Sequence, residues 1–163
     1  MGSMPPRRLR FAATVLPVAV LLGAILAPVA RAEEILTLDG PVTDTTSALD
    51  GRTDEIETAI ASTLDAYGVQ VFVLFVSTTA DRSAQDYAFE TAARNSLGVD
   101  DALLLVALDD RTDFIWLADG LDTITDDELD EIITGTLEPG LRDGDYATAV
   151  VSTVQALGAA TTG

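Results

Sequence analysis

The chain has no cysteine, no histidine and no lysine. Each absence removes a class of chemistry. Without cysteine no disulfide braces the fold and no thiol serves as nucleophile or redox centre. Without histidine there is no Ser-His-Asp or Cys-His catalytic set and no ordinary zinc site. Aromatic residues are sparse at 6 %, with a single tryptophan, so sugar-stacking platforms are few even though carboxylates for glycoside hydrolysis are plentiful. What the chain does hold is acid: 27 Asp and Glu against 9 arginines, a formal net charge of -18. Such a field repels nucleic acid and anionic lipid and gathers cations. The chemistry left is that of hard oxygen ligands, which suit Ca2+ first and Mg2+ or Mn2+ after it. The same charge also serves plain solubility in a salty or acidic milieu, with no site implied.

The N-terminus reads as an export signal. Arg7, Arg8 and Arg10 precede an apolar run from Phe11 to Ala30, and Ala30-Arg31-Ala32 has the small-x-small form of a cleavage site. Residues 1–32 are therefore expected to be removed after Ala32, placing the protein outside the cytoplasm, secreted or at the cell envelope. The run is also long enough for an uncleaved anchor, although Pro17, Gly23 and Pro28 favour processing. Arg10 stands where a twin-arginine signal wants an apolar residue, which favours the general secretory route. Every acid follows Ala32, so losing Arg7, Arg8, Arg10 and Arg31 would take the charge from -18 to about -22. Residues 33–40 are expected as a linker, 41–160 as one domain and 161–163 as a tail. Roughly 130 residues suffice for one core.

Two runs, Val69 to Val76 and Ala102 to Leu108, are too uniformly apolar for half-exposed strands and are expected to be central, covered on both faces. Between them Ser83 with Asp86 opens a helix whose Ala84, Ala88 and Ala92 share a face and which Gly98 ends. Strand, helix, strand is a parallel unit. A third strand, Phe114 to Ala118, follows after a gap short enough for a hairpin and should run antiparallel. Asp54 to Tyr67 reads as a helix stopped at Gly68. Thr125 with Glu128 opens another that stops before Pro139, and a last helix covers about Asp145 to Ala160. Val42 to Asp50 is left as an irregular or short-strand lead-in. The fold class is α/β: a three-layer α/β/α sandwich on a mixed sheet, with a parallel βαβ unit, an antiparallel hairpin and helices on both faces.

This topology divides the acids. Asp100 and Asp101 precede the second strand, and Asp119 and Asp122 follow the third, so an antiparallel pair should bring these four carboxylates within loop reach of a shared cation. The opposite edge carries Asp109, Asp110 and Arg111 in the hairpin turn, near Ser77 to Arg82, where open α/β sheets commonly bind ligands. A plainer reading stands beside each: Asp is a favoured turn residue, and acids in a helix's first turn answer its dipole. The spacing matches no EF-hand. An apolar strand followed by Asp-x-Asp-x-Thr would suggest an aspartyl-phosphate enzyme, but Asp109-Asp110-Arg111-Thr112 puts arginine at the second acidic position. No lysine is present to neutralise a phosphoryl intermediate.

Several segments, taken in order, resemble the TPM domain family. They are Pro41-Val42-Thr43-Asp44, Gly68 to Val73, Tyr87-Ala88, Gly98 to Ala107, Asp110-Arg111, Gly120-Leu121-Asp122 and Glu138 to Tyr146. The resemblance spans about Pro41 to Leu157. It implies an α/β sandwich in an extracytoplasmic domain, calcium-binding in some members, credited with acid phosphatase activity in a plant branch and often an assembly or repair accessory. Carried over by position, the ligand loops fall on Asp100, Asp101, Asp119 and Asp122, with Asp44 and Asp126 nearby, and Arg142 and Tyr146 lie in the later Pro-x-x-Arg stretch. Two departures alter those loops: the usual Asn-Gly reads Asp101-Ala102, and the usual Gly-x-Gly-Leu-Glu reads Ala118-Asp119-Gly120-Leu121-Asp122.

Two functions of different class are expected. One is a calcium-binding accessory or interaction module at the outer face of the membrane, read by a protein partner. The other is a metal-assisted acid phosphatase acting on phosphate monoesters, with Arg111 or Arg142 holding the phosphate. The first is favoured because no nucleophile-base pair is present.

Overall fold

Val71 to Val76 and Ala102 to Ala107 carry almost no polar side chain, and in the computed structural model, which describes residues 34–163, both form interior strands. The sheet has the order β1 (Val42–Asp44), β2 (Gln70–Val76), β3 (Asp101–Ala107), β4 (Thr112–Leu117). β1 and β3 flank β2 in parallel, and β4 returns antiparallel along β3. The Val42 to Asp50 lead-in, expected as irregular or a short strand, supplies a short edge strand at Val42–Asp44. Interior strands buried on both faces need apolar side chains at every position, which is why alternation is missing from β2 and β3.

The helices are α1 (Thr53–Tyr67), α2 (Ala84–Arg94), α3 (Asp126–Ile132), α4 (Glu138–Asp143) and α5 (Tyr146–Ala160). Val71, Val73, Phe75, Leu104, Val106 and Ile115 look toward Ile56 and Ile60 of α1 and Val150, Val154 and Leu157 of α5. Leu74, Val76, Leu103 and Leu105 look the other way, onto Tyr87, Ala88 and Ala92 of α2. Helices thus cover both faces, as expected. None of the described helices is long and apolar enough to cross a membrane. The expected export signal lies outside the described residues.

Local signals explain most boundaries. Ser83 caps α2 by accepting from the Asp86 N–H at 3.0 Å, and Thr125 with Glu128 forms a capping box on α3. Gly68 ends α1 in the left-handed conformation. Two expectations need correction. α2 ends at Arg94, short of Gly98, because the Asn95 amide folds back to the Thr91 carbonyl at 2.8 Å and reaches Leu36 C=O at 3.0 Å. The helix opened by Thr125 does not stop before Pro139. It passes through a π turn, Ile133–Leu137, into α4, where proline occupies the first turn and its missing N–H goes unneeded.

Residues 34–40 have no regular secondary structure, yet they are docked. Ile35, Leu36 and Leu38 pack against the α2 side of the core. The Leu38 N–H donates to Asn95 Oδ1 at 2.9 Å, and the Tyr87 hydroxyl donates to Glu34 C=O at 3.3 Å.

Candidate functional site

At one end of the β3–β4 pair the two acidic loops touch. The Gly120 N–H donates to Val99 C=O at 2.8 Å, and the Ala118 N–H to Asp101 C=O at 3.0 Å. Asp119 to Leu121 forms a single 3₁₀ turn. A Cβ on Gly120 would lie 2.3 Å from the Val99 carbonyl oxygen and 2.7 Å from Asp100 Oδ1, so only glycine permits this approach. Asp100, Asp119 and Asp122 are exposed, while the half-buried Asp101 accepts from the Gly98 N–H. The available donors are carboxylates and backbone carbonyls, the right chemistry for calcium. Among the described residues, however, no three acidic side chains stand close enough together to hold an ion.

Asp44 does not join these loops. β1 runs parallel to β2 and pairs Asp44 with Phe75, whereas Asp101 pairs with Gln70, so the length of β2 separates the two acids. Burial raises the Asp44 carboxyl, but the Thr46 hydroxyl at 2.6 Å and the N–H groups of Leu49 and Thr46 outweigh it and hold it below the usual range. Its role is to fold the turn after β1. Asp126 is an exposed acid in the first turn of α3, where it answers the helix dipole.

The other end of the same pair is chemically mixed. The Asp109 N–H donates to Ser77 C=O at 2.8 Å, and the Asp110 carboxylate takes the Thr79 N–H at 2.7 Å and the Thr78 hydroxyl at 2.9 Å. Led by the Thr79 N–H, these bonds hold Asp110 below the carboxylate range. Next comes Arg111, at φ +54°, a left-handed conformation unusual for a residue with a side chain. Its N–H donates to Leu108 C=O at 3.3 Å, closing the turn. Its exposed guanidinium has no hydrogen-bond or ion-pair partner among the described residues.

Between this turn and α4–α5 opens a cleft of about 650 Å³ that gathers Arg111, Asp113, Glu138, Arg142 and Tyr146 over a floor that includes Leu108 and Leu141. The sequence singled out Arg111 in the hairpin turn and Arg142 with Tyr146 in the later Pro-x-x-Arg stretch, and the fold unites them. Tyr146 is braced by edge-on contact with Phe75, ring centroids 6.1 Å apart. Arg142 lies 3.7 Å from Glu138, a loose and exposed pair.

Asp113 escaped the sequence reading. Paired with Val106, it points to the same face as Ile115 and Leu117, where an apolar side chain would be expected. Burial, reinforced by the facing charge of Glu138, pushes its carboxyl up to about 6. The period of two was the available signal: Phe114 and Trp116 share one face, so Asp113 must share the other with Ile115.

A model of the TPM domain matches residues 42–160. Two UPF0603 proteins of Mycobacterium tuberculosis are each 29 % identical over 139 residues, covering 83 % of this chain but 21 % of their own length. The chain thus spans about a fifth of the curated relatives it matches. Among solved structures, the N-terminal domain of the cg2496 protein from Corynebacterium glutamicum superposes with a TM-score of 0.64 at 21 % identity, covering 80 % of this chain and 85 % of that one. An N-terminal domain from P. gingivalis gives 0.67 at 22 % identity, covering 74 % and 80 %. The BA42 protein from Bizionia argentinensis gives 0.61 at 19 %, covering 68 % and 79 %. At these identities the structural likenesses speak to the fold alone.

Proposed function

Because the chain belongs to the TPM domain family, we propose that it is an exported accessory module at the cell envelope that binds calcium and offers the resulting surface to a protein partner. The observation that carries this reading is the contact between the two acidic loops, closed by the Gly120 N–H on Val99 C=O. Asp100, Asp119 and Asp122 are the residues that would hold the ion, with Asp101 beside them. Bound calcium would neutralise like charges and stiffen the loops. Water or an oxygen of the partner would complete a set that the chain leaves short of three close carboxylates. A binding role also agrees with the absence of histidine, cysteine and lysine.

One observation favours a second reading, an acid phosphatase acting on phosphate monoesters. Asp113, pushed up to about 6, lies in a cleft with two arginines. There Arg111 and Arg142 would hold the phosphate while water attacks phosphorus, and as the ester P–O bond breaks protonated Asp113 would give its proton to the leaving oxygen, so that inorganic phosphate and the alcohol are released.

Calorimetric and thermal-shift titration of the protein with calcium, then magnesium, tests the first reading, because a ligand that binds only the folded state raises its melting temperature. A saturable calcium response lost in Asp119→Asn/Asp122→Asn is expected. Silence at millimolar calcium sinks it. Hydrolysis of p-nitrophenyl phosphate at pH 5, abolished in folded Asp113→Asn, would establish the second reading, and its absence from a clean preparation would dismiss it.

A further inference from the structure

The cleft holds three donor groups for which the described residues supply no close acceptor. Among the described residues Arg111 has no partner, Arg142 has one loose contact, and the Tyr146 hydroxyl makes no hydrogen bond. They come from three separate elements: the hairpin turn, α4 and the first residue of α5. Arg111 reaches this place from a backbone conformation in which glycine would be easier, so the turn gains nothing from an arginine except its side chain. On a chain of net charge -18 these groups form a local site for an anion.

The surroundings narrow the anion. Asp113 and Glu138 share the cleft and would repel a dianionic phosphate more strongly than a singly charged carboxylate. The floor at Leu108 and Leu141 is apolar and suits an aliphatic group attached to the anion. Alongside lies β4, the last strand of the sheet, which among the described residues pairs with β3 alone, so its outer edge offers main-chain groups for an extended chain to follow. We propose that this cleft receives the free carboxylate end of an extended peptide, with Arg111, Arg142 and the Tyr146 hydroxyl donating to the carboxylate and the terminal side chain resting on Leu108 and Leu141. This deepens the accessory-module reading by giving the partner a chemical identity, and it does not depend on calcium at the opposite end of β3–β4.

Asp113 then sets the pH response. The groups around it are Glu138 and Arg142 from α4, Tyr146 from α5 and Arg111 from the turn, while Asp110 of that turn is tied to Thr78 and Thr79. Because its carboxyl is pushed up to about 6, it is neutral in mildly acidic solution and charged at neutral pH. Binding of a carboxylate is therefore tighter on the acid side.

The test uses the isotope-labelled full chain and the tripeptide N-acetyl-Ala-Ala-Leu, as free acid and as amide, with inorganic phosphate as a third probe. Amide and arginine side-chain resonances are followed at pH 5 and 7.5. The free acid should shift Arg111, Thr112, Asp113 and Arg142 saturably, with the amide at least about tenfold weaker because it lacks the charge. Arg111→Gln/Arg142→Gln should lose the free acid while retaining any calcium response. Asp113→Asn should bind the free acid at pH 7.5 as tightly as the parent does at pH 5. Equal binding of acid and amide would overturn the proposal. So would phosphate binding at these residues without the peptide, an outcome that would instead support the phosphatase reading. A lost calcium response with intact peptide binding would remove only the cation.

Discussion

The two ends of the β3–β4 pair place carboxylates in opposite company. At the loop end the segments that carry Asp100, Asp101, Asp119 and Asp122 meet through their backbones, with no arginine in either, and the close approach of Gly120 to Val99 holds them together. At the turn end two carboxyls, two arginines and a tyrosine share a cleft over apolar residues. Asp110 and Asp113 show the contrast within three residues: one is held low by donors from the Thr78–Thr79 loop, the other raised by burial and by Glu138. Abundance of acid does not by itself make a site. What distinguishes the second end is unlike groups converging where solvent is partly excluded, so the charge of Asp113 depends on its burial and on Glu138.

The largest break of this comparison comes from Gly120→Ala. Its Cβ would meet backbone at Val99, which cannot rotate away, so a loss of about 3 kcal/mol is expected as a lowered denaturation midpoint. The turn-end cleft should keep its ligand response in the folded fraction.

Next is Asp113→Asn, which should stabilise the protein at neutral pH by about 1–2 kcal/mol once solvent screening is allowed for. The sign follows from the raised value. The folded chain binds this proton more tightly than the unfolded chain, so stability falls as pH rises from the ordinary 3.8 to about 6, and the penalty is complete above that. Denaturant midpoints measured from pH 4 to 8 should show that decline in the parent and a flatter profile in the variant. An unchanged profile would mean that the Asp113 environment is more open than described.

The smallest effect is expected of Asp110→Ala, which removes acceptors for Thr78 and Thr79 at an exposed turn and should cost about 1 kcal/mol. Its pH dependence runs the other way. The lowered carboxyl contributes above its ordinary value of 3.8, and that contribution is lost as pH falls through the folded value. Opposite pH slopes from Asp110 and Asp113 would sharpen the contrast between a carboxylate that folds a turn and one that lines a cleft.

Much of the scaffold was legible because its signals are local. The apolar runs around Val73 and Leu104 read as interior strands, Ser83 with Asp86 announced a cap, and a gap as short as Asp109 to Asp113 pointed to adjacent antiparallel strands, although β4 opens two residues before the expected Phe114, at Thr112. What escaped was set by distant contacts. Asn95 ends α2 because its amide is claimed by Leu36, far away in sequence. Pro139 reads as a stop, and no local signal announces that the π turn before it lets the helical path continue. Asp44 was placed near the acidic loops by the family resemblance alone, and the parallel pairing of β1 with β2, which puts it at the other end of the sheet, depends on a partner distant in sequence. The convergence of Arg111, Arg142 and Tyr146 likewise depends on where α4 and α5 come to rest.

The family match starts at Val42, but the groove between α2 and the sheet is closed by Ile35, Leu36 and Leu38, which precede it. A fragment cut at the start of the family match would uncover apolar side chains beneath that segment and leave the Asn95 amide without the backbone of Leu36 and Leu38. The packed unit of this protein is therefore longer than the stretch that matches the family.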